Sequence, residues 1–228
     1  MSSLLESQVY WRLIALAQLV PELDQEVLFD WVTQALNGPL NSAQLDKLTQ
    51  EQLQVCQPQN VTLDTGRWES FLAILHGELP AHLNPVPALA MDGALQVAFT
   101  STDGININGH FGSCPLFFIY QVTADKSQLI DIRRYAEGGK GAEVNEEKSL
   151  LLAGCQLLFC EAIGGPAAAR VIRHGLHPVK VKKDPVIALQ VSELQQLMAG
   201  VLPPWLSKVL GRKDDLSRRF DLQSELDD

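Results

Sequence analysis

The spacing of hydrophobic residues changes once along this chain, and that change limits the folds open to it. Up to about His76 they recur every three or four residues; from Leu95 onward they gather in short apolar runs. Pro80, Pro85 and Pro87 stand between, in a stretch with no period of its own. One kind of element cannot serve both a 3.6-residue and a 2-residue repeat, so the chain needs two differently built parts. Proline fixes φ and favours extended backbone, so the stretch between reads as a semi-rigid linker. The expected division is 1–77 for a helical part, 78–92 for the linker, 93–202 for an α/β part and 203–228 for a charged, mobile tail.

In the first part Leu4, Val9, Leu13, Leu16 and Val20 form one stripe, stopped at Pro21. Val27, Leu28, Trp31, Val32 and Leu36 form a second, ended by Asn37-Gly38-Pro39. Ser42 is placed to cap a short helix carrying Leu45 and Leu48, and Thr49 another with Leu53 and Val55. A last helix runs over Trp68, Phe71, Leu72 and Leu75. Four or five short helices make a small all-α bundle, either a surface for contact with another protein or a bare helical domain.

The second part predicts strands at Leu95–Thr100, Leu116–Val122 and Gln128–Arg133. A helix over Glu146–Ala153, a strand Leu157–Cys160 and a helix from Ala167 to about His174 follow. A strand Pro178–Val181 and a helix from about Pro185 to Met198 complete it. A meander followed by alternation implies an α/β sandwich on a mixed sheet, and the whole chain is α+β in two domains.

Charge and composition exclude several classes. The net charge is −9, and residues 1–88 hold ten acidic against three basic side chains, leaving only −2 for the rest. The 126–183 segment is mildly basic, far short of the stripe a duplex-binding protein presents, though enough for a small anion. No apolar run approaches the roughly 20 residues of a membrane span. The start, MSSLLESQVYWRL, lacks the basic n-region of a signal peptide, and four cysteines in 228 residues make no disulfide framework. A cytoplasmic, reduced protein is expected.

Function is expected in Asp103–Pro115, DGININGHFGSCP, directly after the first strand. Gly104, Gly109 and Gly112 let backbone turn sharply and approach a ligand. His110 can bind a metal through one ring nitrogen while an acceptor orients the other. Cys114 is either its companion ligand or a small apolar loop residue; Asn108, Gly109, Phe111 and Gly112 frame the two. A second candidate is Glu161-Ala162-Ile163-Gly164-Gly165-Pro166, a strand end opening a helix. Free amides of Gly165, Ala167 and Ala168 would face an anion there, with Arg170 and Arg173 adding charge. Close helix–sheet packing and surface solvation explain the same residues. Cys155 and Cys160 are five apart and no C-x-x-C pair exists, so a four-cysteine cluster site is not expected. Gly138-Gly139-Lys140-Gly141 lacks Walker spacing and reads as a flexible loop. Asp103, Asp131 and Glu161 form no recognisable hydrolase set.

Two segments, Val97–Val122 and Leu151–Val181, resemble the nitrogenase cofactor-biosynthesis family that includes NifX, NifY, NafY and the C-terminal region of NifB. The carrying motifs are His-Phe-Gly at 110–112 and Ile-Gly-Gly-Pro-Ala-Ala at 163–168. The helical extension matches the two-domain members, NafY and NifY, better than short NifX. The resemblance implies a ribonuclease H-like second domain and a non-catalytic carrier of the iron–molybdenum cofactor or its precursor. It implies association with apo-dinitrogenase and with cofactor-assembly proteins, and it places the cofactor on His110. Cys114 is outside the family's motif. A carrier must release its cargo, so one exchangeable ligand with backbone amides and a basic rim suits it better than four ligands. The alternatives are a metal-dependent hydrolase using Asp103 and Glu161 on the same fold, and a cluster-free interaction module; a fold does not bring nuclease chemistry with it.

Overall fold

The computed structural model describes residues 7–135, 141–182 and 185–210. The chain divides into two compact units, Met1–Asn84 and Pro85–Asp228.

The first unit holds α1 (Ser7–Leu19), α2 (Gln25–Ala35), α3 (Ser42–Leu45), α4 (Gln50–Val55) and α5 (Thr65–Leu75). Trp31, Trp68 and Phe71 pack ring to ring at its centre, with centroids 5.0–6.1 Å apart. The Trp31 indole N–H donates to Leu53 O at 2.8 Å, so the largest core residue leaves no buried donor unpaired. Thr49 caps α4 in a capping box with Gln52. At α3 the cap is Asn41, one residue before the expected Ser42: its side-chain oxygen accepts from Gln44 N at 3.0 Å, and Ser42 becomes the first helical residue. Arg12 is buried and joins three elements. It donates to Asp46 Oδ1 and Leu75 O, both at 2.6 Å, drawing α1 onto α3 and the end of α5. The expected single linker is divided by its contacts. Leu83, in a 3₁₀ turn over Ala81–Leu83, is fully buried in the first unit. Val86 N donates to Leu129 O, and Leu89 exchanges two hydrogen bonds with the Gln121 side chain, so 86–89 lie against the second unit's sheet.

The second unit contains β1 (Leu95–Thr100), β2 (Leu116–Val122), β3 (Ser127–Arg134), α6 (Ala142–Leu151), β4 (Leu157–Cys160), α7 (Gly165–Arg173), β5 (His177–Lys180), α8 (Ile187–Ala199) and α9 (Pro204–Val209). The five strands form one mixed sheet in the order β3-β2-β1-β4-β5. β1 pairs antiparallel with β2 and parallel with β4, and β4 runs parallel with β5. Alternate side chains build both faces. Ala98, Phe117, Ile119, Leu158 and Cys160 share a core with Phe111, Leu152, Val171 and Leu176. On the sheet itself Phe99 stacks on Phe159 at 5.2 Å and meets Tyr120 edge-on at 5.6 Å.

Most boundaries lie within one or two residues of the sequence reading, and two differ by more. α6 starts four residues earlier than Glu146, as the exposed Glu143 is a good first-turn residue. The segment after Pro203, read as mobile, begins with a helix: Pro204 occupies its first turn, Leu206 is fully buried, and the Trp205 ring stacks on His177 at 5.2 Å. Charge further along outweighed this short apolar run in the sequence pattern. Residues 211–228 and Gly138-Gly139-Lys140 lie outside the described residues. Among the described residues no helix is long and apolar enough to cross a membrane.

Candidate functional site

β1 and β4 are parallel neighbours, and the chain leaves them in opposite ways. After Thr100 it loops and returns as antiparallel β2; after Cys160 it enters α7. Such a divergence leaves room at the carboxyl ends of the strands, where ligands bind open α/β sheets.

The loop after β1 is organised from inside by Asp103. Its Oδ1 accepts from the N–H groups of Ile105 and Asn106 at 2.7 and 2.8 Å and from Ser101 Oγ at 3.0 Å. Its Oδ2 accepts from the side-chain amides of Asn106 and Asn108 at 3.1 and 3.2 Å. Partial burial opposes ionisation of this carboxyl, but the donors from Asn106, Ile105 and Ser101 outweigh it and hold the group below its ordinary range. Asn108 in turn accepts from Thr102 N at 2.9 Å. Asp103 is thus the loop's keystone, both of its oxygens accepting from groups of that loop. A hydrolase would need this carboxylate turned outward.

Two backbone bonds fasten the next residues to the chain leaving β4. Glu161 N donates to Gly109 O at 3.1 Å and Phe111 N to Ala162 O at 2.9 Å, a parallel bridge aligning His110 with Ala162. Phe111 is fully buried against Phe117 and anchors this bridge in the core. His110 points the other way: its side chain is 59% exposed, and Nε2 lies 3.7 Å from Glu161 Oε2. Gly109 passes close beneath. A Cβ there would stand 2.6 Å from Cys114 Sγ and 2.9 Å from Thr100 Cβ, which only glycine avoids.

Cys114 occupies the space that Gly109 leaves. It is 3% exposed, and its thiol faces the carbonyls of Leu116 at 3.2 Å and Ser101 at 3.7 Å. Burial pushes this thiol up, against the pull of Lys148. His110 and Cys114 are therefore close along the chain, yet the imidazole is outside and the sulfur inside. Gly112 is exposed, with open space where a side chain would be.

Gly164 and Gly165 begin α7 two residues after Ala162, on the same side of the sheet's end as His110, and both are exposed. Gly164 caps the helix without a side-chain bond, and Pro166 has no N–H to satisfy. Ala168, read as a free amide, is not: its N–H donates to Gly164 O at 2.9 Å in the first helical turn. Arg170 and Arg173 lie in the last turn of α7, where cations suit the helix dipole, rather than at its start. Cys155 and Cys160 are core residues whose thiols are pushed up to about 11 by burial. Among the described residues no three His, Cys, Asp or Glu side chains converge on one point.

The residue the sequence reading missed is Lys148 on α6. It is 2% exposed, and Nζ donates to the carbonyls of Gly112 at 2.7 Å, Cys114 at 2.8 Å and Phe111 at 3.2 Å. The same ammonium lies 5.0 Å from the Tyr135 ring centroid. The sequence carries no signal for it: α6 buries Lys148 and Ser149 while leaving Leu150 55% exposed, the inverse of what an ordinary amphipathic pattern predicts.

A family model described as dinitrogenase iron-molybdenum cofactor matches residues 94–197, spanning the sheet, the His110 loop and α7. Protein NifY of Klebsiella pneumoniae is 43% identical over 203 residues, 89% of each chain. Protein NifY of Azotobacter vinelandii is 32% identical over 222 residues, 92% of each chain. Protein NifX of Rhodobacter capsulatus is 34% identical over 136 residues, 56% of this chain and 86% of its own. The similarity to the two NifY proteins takes in both units, and the chain belongs to the NifX and NifY family of dinitrogenase iron–molybdenum cofactor proteins.

Proposed function

We propose that this protein is a non-catalytic carrier that binds the iron–molybdenum cofactor, or its iron–sulfur precursor, during nitrogenase maturation. The observation that carries the reading is the exposed His110, an imidazole held at the end of the sheet by a core-anchored bridge, with no convergent set of donors around it among the described residues. One nitrogen ligand suits cargo that must leave again, whereas three or four would trap it. Glu161 stands where it can orient the ring. Gly112, Gly164 and Gly165 leave the approach free of side chains for a bulky cluster. Their exposed backbone, with Asn108, Gly109 and Phe111 setting the loop, makes up the rest of the proposed site; Arg170 contributes from a distance along α7. Cys114 belongs to the site as the packing residue beneath Gly109.

The strand order, with β2 antiparallel to the other central strands, supports a ribonuclease H-like reading of the second unit. We assign the acidic helical unit to docking on apo-dinitrogenase and place the protein in the cytoplasm, where cofactor assembly proceeds.

The test is anaerobic titration of the apo-protein with isolated iron–molybdenum cofactor, wild type beside His110→Ala. Saturable binding near one equivalent is expected, weakened at least about tenfold by the substitution with the fold unchanged. Undiminished binding by His110→Ala would move the ligand to Cys114 or the Gly164-Gly165 turn. A wild-type protein that binds nothing would leave a cluster-free interaction module.

A further inference from the structure

Lys148 combines features that structural need alone does not call for. An ammonium carries three N–H donors, and here all three are spent on main-chain oxygens of one turn, those of Phe111, Gly112 and Cys114. Among the described residues no carboxylate lies within ion-pair distance of it, so the positive charge is solvated by carbonyl dipoles and by the Tyr135 face. Burying a charge without a counter-charge is costly. An apolar side chain on α6 could fill the space without that cost. The turn itself already has internal bonds, Ser113 N and Cys114 N both donating to His110 O at 3.1 and 2.8 Å.

The direction of the peptide groups shows what the ammonium adds. Carbonyl and N–H point opposite ways across a trans peptide. Drawing Phe111 O inward therefore turns the Gly112 N–H outward, beside His110 and at an exposed residue with open space above it. The arrangement leaves an outward N–H and an uncancelled positive charge directly behind the exposed His110 imidazole.

We infer that Lys148 is a positioning residue for an anionic metal–sulfur ligand: it orients the His110–Cys114 turn from within and supplies the site's counter-charge. The inference rests on the carrier reading above and names the chemistry by which that site favours an anion. The Lys148 ammonium contacts the turn and the Tyr135 ring from within, so the ligand feels it through His110, the Gly112 amide and the field.

The experiment titrates isolated iron–molybdenum cofactor into wild type, Lys148→Met, Lys148→Arg, His110→Ala and the Lys148→Met/His110→Ala double variant, with near-ultraviolet circular dichroism to verify each fold. Lys148→Met is expected to bind at least about tenfold more weakly, in the range for residues that orient a metal ligand. Lys148→Arg, which keeps the charge and the donors, is expected to restore most of that loss. In the His110→Ala background the Met substitution is expected to cost less than it does alone, since the two act on one turn. Equal binding by folded Lys148→Met and wild type, with His110→Ala still weak, overturns this inference and leaves the carrier reading intact. Equal losses in the Met and Arg variants also overturn it. Failure of wild type to bind removes the carrier reading and this inference with it; failure of His110→Ala to weaken binding moves the ligand off this turn and overturns this inference alone. If Lys148→Met does not fold, Lys148→Gln takes its place, keeping two donors without the charge; loss of the fold in both makes Lys148 a core residue only and overturns the assignment.

Discussion

At the scale of single residues, burial decides what the sulfur atoms of the second unit can do. Cys155 and Cys160 sit in the core, and desolvation carries their thiols from an ordinary 9.0 to about 11. The neutral thiol is the form the fold favours. Its contribution is therefore complete below pH 9 and is lost as pH climbs from about 9 to about 11, because the unfolded chain ionises first. Each of the two should remove on the order of 1–3 kcal/mol across that window. Urea denaturation of the 85–228 unit at pH 8 and pH 10.5 measures the loss, and the Cys155→Ala/Cys160→Ala protein should show a shallower fall. Identical slopes would show that other groups, such as the raised Tyr120, carry the dependence. Among residues legible in the sequence, His110 stood out because glycines surround it and a motif contains it. Lys148 did not, since a lysine at the seventh position of a glutamate-rich helix has the pattern of a solvated face, and only the folded turn supplies its three carbonyls. The inward turn of Cys114 was equally hidden: it depends on the missing Cβ of Gly109, nine residues after Thr100 by sequence but in contact with it in the fold.

At the scale of elements, local chemistry located most strands and helices, because each is announced by its own period and punctuation. Leu95–Thr100, Leu116–Val122 and Leu157–Cys160 coincide with the apolar runs residue for residue. Errors gather where a long-range contact overrides local composition. α9 is the clearest case: a six-residue helix is not stable alone, and it persists because Leu206 is fully buried and Trp205 covers His177. Leu206→Ala should therefore lower the stability of the second unit by about 2–5 kcal/mol, as core truncations do. Thermal melting of that unit reads the effect; a change within about 0.5 kcal/mol, the usual range for a surface position, would return the segment to the status of a loose tail.

At the scale of the whole molecule, the change of hydrophobic period foretold two bodies, but not where the chain passes from one to the other. Prolines signalled a linker, whereas the side chains assign its halves: Leu83 to the helices, Val86 and Leu89 to the sheet. Each unit has its own aromatic core, so fragments 1–84 and 85–228 should each unfold in a single cooperative transition when expressed separately. On the proposed division of labour, 85–228 keeps the affinity for the isolated cofactor and 1–84 keeps that for apo-dinitrogenase in a pull-down. Cofactor binding lost from 85–228 would mean that the helical unit takes part in holding the cargo.

The opposed orientation of His110 and Cys114 has a consequence for the direction of delivery. With nitrogen outside and sulfur inside, this surface offers a cluster one strong donor. On the proposed reading, an acceptor that presents a thiolate as well as an imidazole would hold the cluster by more ligands than this surface can, which gives delivery its direction.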